Sequence, residues 1–176
     1  CLDVSFQRTL VKGDPGSRIP VDTWVVNVLA VLPGTTDPDR RVIMTGDIDS
    51  RVSDALDATR DSPGADDNAS GMAGVIEAAR VLSPYRFPGT IILAGLSGEE
   101  QGLVGGQHMA QVAKDEGWNI EALLNNDMIG NIEGIDGVIE NNTFRVFSEP
   151  TPATETDAER RARRGAGGEV DGPSRQ

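Results

Sequence analysis

The feature that most constrains this chain is residues 90–96, TIILAGL, an uninterrupted apolar run. Such a run reads as a strand buried on both faces, the kind found in sheets covered by helices. A helix-period segment precedes it: Met72, Val75, Ile76, Ala79 and Leu82 fall on one helical face, and Pro84 ends the segment. Residues 103–113 read as a second helix, although Gly105-Gly106 weakens that reading. Residues 23–32 (TWVVNVLAVL) and 41–45 (RVIMT) read as strands, ending at Pro33-Gly34 and Gly46. Residues 2–10 alternate weakly, as an edge strand would. Residues 121–124 read as another buried strand and 143–147 as a further one. Strands alternating with helices predict an α/β fold, with a mixed, largely parallel central sheet flanked by helices.

Composition narrows the function classes. The chain has 28 acidic and 16 basic side chains, a formal charge of −12. Nucleic acid and anionic membranes reward Lys and Arg, so neither is an expected partner. One Cys excludes a disulfide framework or multi-Cys metal site within this chain, and one His excludes a two-His helical motif. No run approaches the roughly 20 apolar residues of a transmembrane segment. From residue 149 the composition changes, and in 151–176 five acids balance five arginines. The expected organisation is therefore one main domain over 1–150 and a charged insertion, or the start of the next element, over 151–176. The non-Met start and the ending at Gly172-Pro173 suggest part of a longer chain, truncated at the C-terminus; a mature lipoprotein beginning at Cys1 is the other reading.

The acidic residues are not spread evenly. Asp47 and Asp49 follow the RVIMT strand, Glu99 and Glu100 follow TIILAGL, and Asp127 follows the strand at 121–124. Asp66 and Asp67 lie just before the first helix, at the end of a long acidic stretch over 47–69. Ligands of open α/β sheets bind beyond the carboxyl ends of the strands. Carboxylates gathered there without a cation repel one another, so such a cluster points to metal. The plainer reading treats each acid singly, as a helix cap, a solvated strand end or an exposed turn. Residues 66–77 (DDNASGMAGVIE) also fit the calcium-loop pattern, with Asp66, Asn68, Ser70, Gly71 and Glu77 in register. That motif needs an entering helix, which Pro63-Gly64 forbids. Residues 95–99 (GLSGE) lack the second spaced glycine of a nucleophile elbow. His108 lies within the second helix segment, where a surface or packed histidine is the expectation.

Four blocks carry a family resemblance: TGDIDS at 45–50, PGADDNASG at 63–71, SGEEQGL at 97–103 and NDMIG at 126–130. Together the chain resembles the bacterial di-zinc aminopeptidases of metallopeptidase clan MH, of the leucine aminopeptidase or aminopeptidase Y type. The resemblance implies a zinc-exopeptidase-like fold, a peptide substrate and two divalent metals. It implies Asp47, Asp67, Glu100 and Asp127 as metal ligands, with Asp67 bridging, Glu99 as general base, and Asp49 orienting the ligand two residues before it. It also implies export, as relatives are commonly periplasmic or extracellular. This chain departs from the family at two places. Asp47 stands where the family usually has His, an all-oxygen shell that tolerates Mn or Mg as well as Zn. The family's last ligand, a downstream His, has no counterpart here and is expected beyond residue 176, so these residues alone should be weak or inactive. The expected function is a metal-dependent exopeptidase, most simply an aminopeptidase. A non-catalytic metal-binding pseudoenzyme and a calcium-stabilised binding module are the alternatives. Oligomeric state, the preferred N-terminal residue, and the choice among aminopeptidase, carboxypeptidase and dipeptidase are not readable from the residues.

Overall fold

In a computed structural model describing residues 2–134, 137–142, 146–148, 156, 158, 172 and 173, the TIILAGL run lies inside strand β4 (Gly89–Leu96). Its neighbours are β2 (Thr23–Leu32) and β3 (Asp37–Asp47). The five-stranded sheet has the order β1-β2-β4-β3-β5, with β1 at Asp3–Val11 and β5 at Asn119–Asn125. The fold is α/β and the sheet is mixed. β1 and β2 form an antiparallel pair, β2 runs antiparallel to β4, and β3 runs parallel to both β4 and β5. Helices α1 (Ala69–Leu82) and α2 (Val104–Asp115) connect the three parallel strands.

Side-chain alternation along the strands assigns the helices to opposite faces. On one face Leu29, Ile43, Ile92, Ala94 and Met109 make the buried core beneath α2, with Leu96 and Trp118 packed against it. On the other, Gly46 and Gly95 lie within reach of Met72 on α1. Because β3 leads through α1 to β4, and β4 returns through α2 to β5, the chain reverses direction across the sheet between β3 and β5. In open α/β sheets that reversal opens a crevice at the carboxyl ends of the strands.

Two expectations change. Among the described residues, 121–124 are not a buried strand. They belong to β5, an edge strand on which Leu123 and Leu124 are 55% and 56% exposed. A short apolar run looks the same to a reader whether or not the sheet continues past it. Ile76 is 63% exposed, so the buried stripe of α1 runs through Gly71 and Val75 without it. The expected second helix is α2, with the glycine pair inside its first turn. Gly105 is buried, and a Cβ there would stand 2.2 Å from Asn27 Oδ1 and 2.4 Å from the Ser97 carbonyl. The glycine lets the helix approach β2 and the end of β4. The expected strand at 143–147 lies mostly outside the described residues; Phe147–Ser148 is β6, antiparallel to β7 at Gly172–Pro173.

Two compact units divide the chain, Cys1–Asn131 and Ile132–Gln176. The second contains β6, β7 and a bridge between Glu133 and Ile139. Nearly all of the charged segment at 151–176 lies outside the described residues. Among the described residues no helix is long and apolar enough to cross a membrane.

Candidate functional site

Asp47, Asp49, Glu99, Glu100 and Asp127 lie at or just beyond the carboxyl ends of the parallel strands, and Asp66 and Asp67 just before α1, all in the first unit. Asp47 is the last residue of β3 and is only 7% exposed. Two residues on, Asp49 fixes the neighbouring turn. Its Oδ1 accepts from the Glu99 N–H at 3.2 Å and its Oδ2 from the Glu100 N–H at 3.1 Å. Gly98, at φ +73°, supplies the left-handed turn that brings the chain out of β4 toward these two glutamates. Consecutive glutamates are thus held by their backbone, with both carboxylates at the strand end. The geometry ties Asp49 to the glutamate turn, in addition to the orienting role expected for it toward residue 47.

The start of α1 is bound to the same edge by Asn68, which is 2% exposed. Its Oδ1 caps the helix, accepting from Gly71 N–H at 3.1 Å, and also accepts from Met128 N–H at 3.3 Å. Its amide donates to the Asn126 carbonyl at 2.9 Å and to Asp47 Oδ2 at 3.3 Å. Asp66 Oδ1 accepts from Gly130 N–H at 2.8 Å, and Ser70 Oγ accepts from Ile129 N–H at 3.0 Å. One short segment therefore fixes the loop that carries Asp127. Thr45 completes the link between strands: its hydroxyl donates to Asn125 Oδ1 at 2.6 Å, and its carbonyl accepts from Asn126 N–H at 2.9 Å.

These contacts remove the calcium-loop reading. Asp66 and Asn68 direct oxygens at backbone N–H groups, no helix enters the loop, and Glu77 pairs with Arg80 on the exposed face of α1. His108 is half-buried within α2, as expected.

The carboxylates at this edge raise one another's affinity for protons. Burial pushes Asp47 up to about 6; the Asn68 hydrogen bond opposes this, and the charges of Asp127, Asp49 and Asp67 add to it. Glu99 is raised above the usual carboxylate range, first by burial and then by Asp47, Glu100, Asp127 and Asp49. Asp127 is raised by burial, Asp67, Asp66 and Glu100. Hard oxygen donors that repel one another suit a divalent cation, which would relieve the repulsion. Among the described residues no three of His, Cys, Asp and Glu stand in a ready-made metal group. The donors share an edge of the sheet, with Asp47 at its floor and Asp67 and Asp127 exposed at its rim.

Two further features had no signal in the residues. Arg51 Nε donates to Glu100 Oε2 at 2.5 Å, an ion pair whose Glu100 side chain is 13% exposed. Beside the carboxylates, a groove of about 510 Å³ opens between α2 and β5. Leu103, Met109, Ile120 and Leu123 line it, and Glu99 and Asp127 border it.

The model of peptidase family M28 matches residues 27–162. A probable zinc metalloprotease of the fungus Leptosphaeria maculans is 42% identical over 160 residues, 91% of this chain and 37% of that protein. The chain thus spans about a third of the length of the curated relatives it matches. Among solved structures, an Acidobacteriales glutaminyl cyclase superposes with TM-score 0.57 at 25% identity, over 74% of this chain and 46% of that one. An aminopeptidase from an Aneurinibacillus species superposes with TM-score 0.50 at 26% identity, over 64% of this chain and 27% of that one. Since the family model takes in β3, β4, β5 and every carboxylate gathered at their ends, this chain belongs to peptidase family M28.

Proposed function

We propose that this chain carries the general base and most of the metal-binding groups of a metal-dependent exopeptidase, an aminopeptidase acting on peptides. The observation that carries the reading is the placement of Asp47, Glu99, Glu100, Asp67 and Asp127 around the β3/β5 reversal, where burial and neighbouring acids raise Asp47, Glu99 and Asp127 together. Asp47, Asp67, Glu100 and Asp127 would hold two divalent metals, and the names of the fungal relatives support zinc. When bound, such ions supply positive charge that polarises the scissile carbonyl and makes the attacking water more acidic. Glu99 accepts the proton of that water and returns it to the leaving amine; its raised affinity for protons suits a base that must also act as an acid. Asp49 holds the Glu99 carboxylate in place through the backbone. The acid surplus of the chain as a whole favours the approach of the protonated α-amino group of a peptide. The apolar groove beside Glu99 accommodates the side chain of the residue being removed.

A second reading has its own support, since one of the similar structures is a glutaminyl cyclase. That reaction releases ammonia from an N-terminal glutamine without consuming water. The natural full-length protein should be purified, its bound metals counted, and both reactions followed, with and without Glu99→Gln. Two metals per chain and hydrolysis of aminoacyl arylamides, reduced about 10²–10⁴-fold by Glu99→Gln, are expected. Metal binding with an unchanged rate in Glu99→Gln would sink the mechanism. Ammonia release from glutaminyl peptides without arylamide hydrolysis would establish the cyclase reading instead.

A further inference from the structure

We propose that Arg51 is a positioning residue for Glu100, fixing which of its two oxygens is offered to a cation. The inference rests on the reading that the carboxylates hold divalent metal. Arg51 Nε donates to Glu100 Oε2, and Arg51 Nη1 donates to the carbonyls of Val52 and Ser53 at 3.2 and 3.4 Å. One edge of the guanidinium is therefore tied to its own loop while the other holds the carboxylate. Glu100 is gripped along its backbone as well. Its N–H donates to Asp49, and its carbonyl accepts from Arg18 Nη1 at 2.6 Å. With the backbone and Oε2 both held, Oε1 is the oxygen left unengaged.

The surroundings fit this role. Arg51 shares a hollow of about 440 Å³ with Asp67 and Glu100, two of the proposed ligands. The guanidinium stays charged at any working pH, so it adds a permanent positive charge to a cluster of acids. Its planar fork also gives direction, where the Lys ammonium is a freely turning point charge. A carboxylate ligand left without such a partner rotates and can take a cation with either oxygen or both. Removing a partner that orients a ligand typically lowers metal affinity about 10–100-fold. The sign is informative. If Arg51 instead merely occupied a cation's place on Glu100, removing it would tighten metal binding.

The test uses the natural full-length protein as wild type, Arg51→Lys, Arg51→Met, Glu100→Gln and the Arg51→Met/Glu100→Gln double variant. Zinc affinity is measured by competition with a chromophoric chelator, and metal-free unfolding is measured in parallel. Arg51→Met is expected to bind zinc about 10–100-fold more weakly while its metal-free unfolding midpoint stays near wild type. Arg51→Lys should recover part of that loss. In the Glu100→Gln background, Arg51→Met should cost little more, because its effect acts through Glu100. Unchanged or tighter zinc binding by Arg51→Met overturns the inference, as does a full additional loss in the double variant. If Arg51→Met does not fold, Arg51→Lys decides: weaker binding supports the role, and wild-type affinity overturns it. Wild-type protein that binds no zinc would overturn the proposed function itself, a result distinct from any failure of the Arg51 variants.

Discussion

Asp47 shows how much of this site's behaviour rests on single residues. Its carboxyl is pushed up to about 6 in the folded chain, against an ordinary value near 4 when unfolded. The folded state therefore binds this proton more tightly than the unfolded state. Its contribution to stability is fully present below about pH 4 and is lost as pH rises through about 6. Burial and neighbouring acids raise Glu99 and Asp127 in the same direction. Metal-free protein should accordingly lose stability between about pH 4 and 6, by roughly 2–3 kcal/mol from Asp47. Urea unfolding at intervals of half a pH unit, with chelator present, measures this. Asp47→Asn should flatten the slope, and an equally steep slope in that variant would assign it to other groups. Asn68 is the second critical residue, with four hydrogen bonds joining α1, the end of β3 and the loop after β5. Asn68→Ala removes the helix cap and strands buried partners, so a loss of about 2–3 kcal/mol is expected. Asn68→Asp keeps the cap but places an anion beside Asp47. Its stability deficit should grow as pH rises past 6, which the same titration would reveal.

At the level of elements, the two adjacent glycines of α2 make opposite predictions. A Cβ at Gly105 collides with Asn27 Oδ1 and the Ser97 carbonyl, whereas one at Gly106 meets only Leu96 Cδ1 at 3.8 Å. Gly106→Ala should stabilise the chain by about 0.5–1 kcal/mol through helix propensity. Gly105→Ala should destabilise it by about 1–3 kcal/mol through overpacking. Urea midpoints for the two variants decide the matter, and equal shifts would contradict the packing described for Gly105. These glycines also mark where sequence reading stops. Propensity scores both alike, because the contact with Asn27 joins residues 78 positions apart. The elements themselves were legible wherever one local rule held along their length. Residues 23–32 and 90–96 are strands as read, and the order strand, helix, strand, helix, strand is that of the folded chain. β5 was misjudged because exposure at a sheet edge depends on what lies beside the strand, and its own residues do not record that.

Over the whole molecule, the −12 charge has two components that respond differently to added ions. The convergence of acids at one sheet edge was legible, because strand ends can be located from the run of apolar residues before them. Arg51 and the bridging by Asn68 were not, since each depends on contacts between distant segments. Acids scattered over the surface repel diffusely. Sodium chloride screens that repulsion as the Debye length shrinks from about 10 Å at 0.1 M to about 3 Å at 1 M. The stabilisation should be gradual and without saturation. The clustered carboxylates should respond to zinc at far lower concentration, and the effect should follow binding. A free zinc concentration about a hundredfold above the dissociation constant adds about 2.7 kcal/mol. Asp67, exposed at the rim, is the substitution of choice, since Asp67→Asn removes a proposed ligand with little change in packing. Full-length Asp67→Asn should keep the sodium chloride response of wild type and lose most of the zinc response. Thermal unfolding across both titrations reads the two components separately. A zinc response no larger than that of sodium chloride at equal ionic strength would mean the acidic edge is a solvated surface and not a metal site.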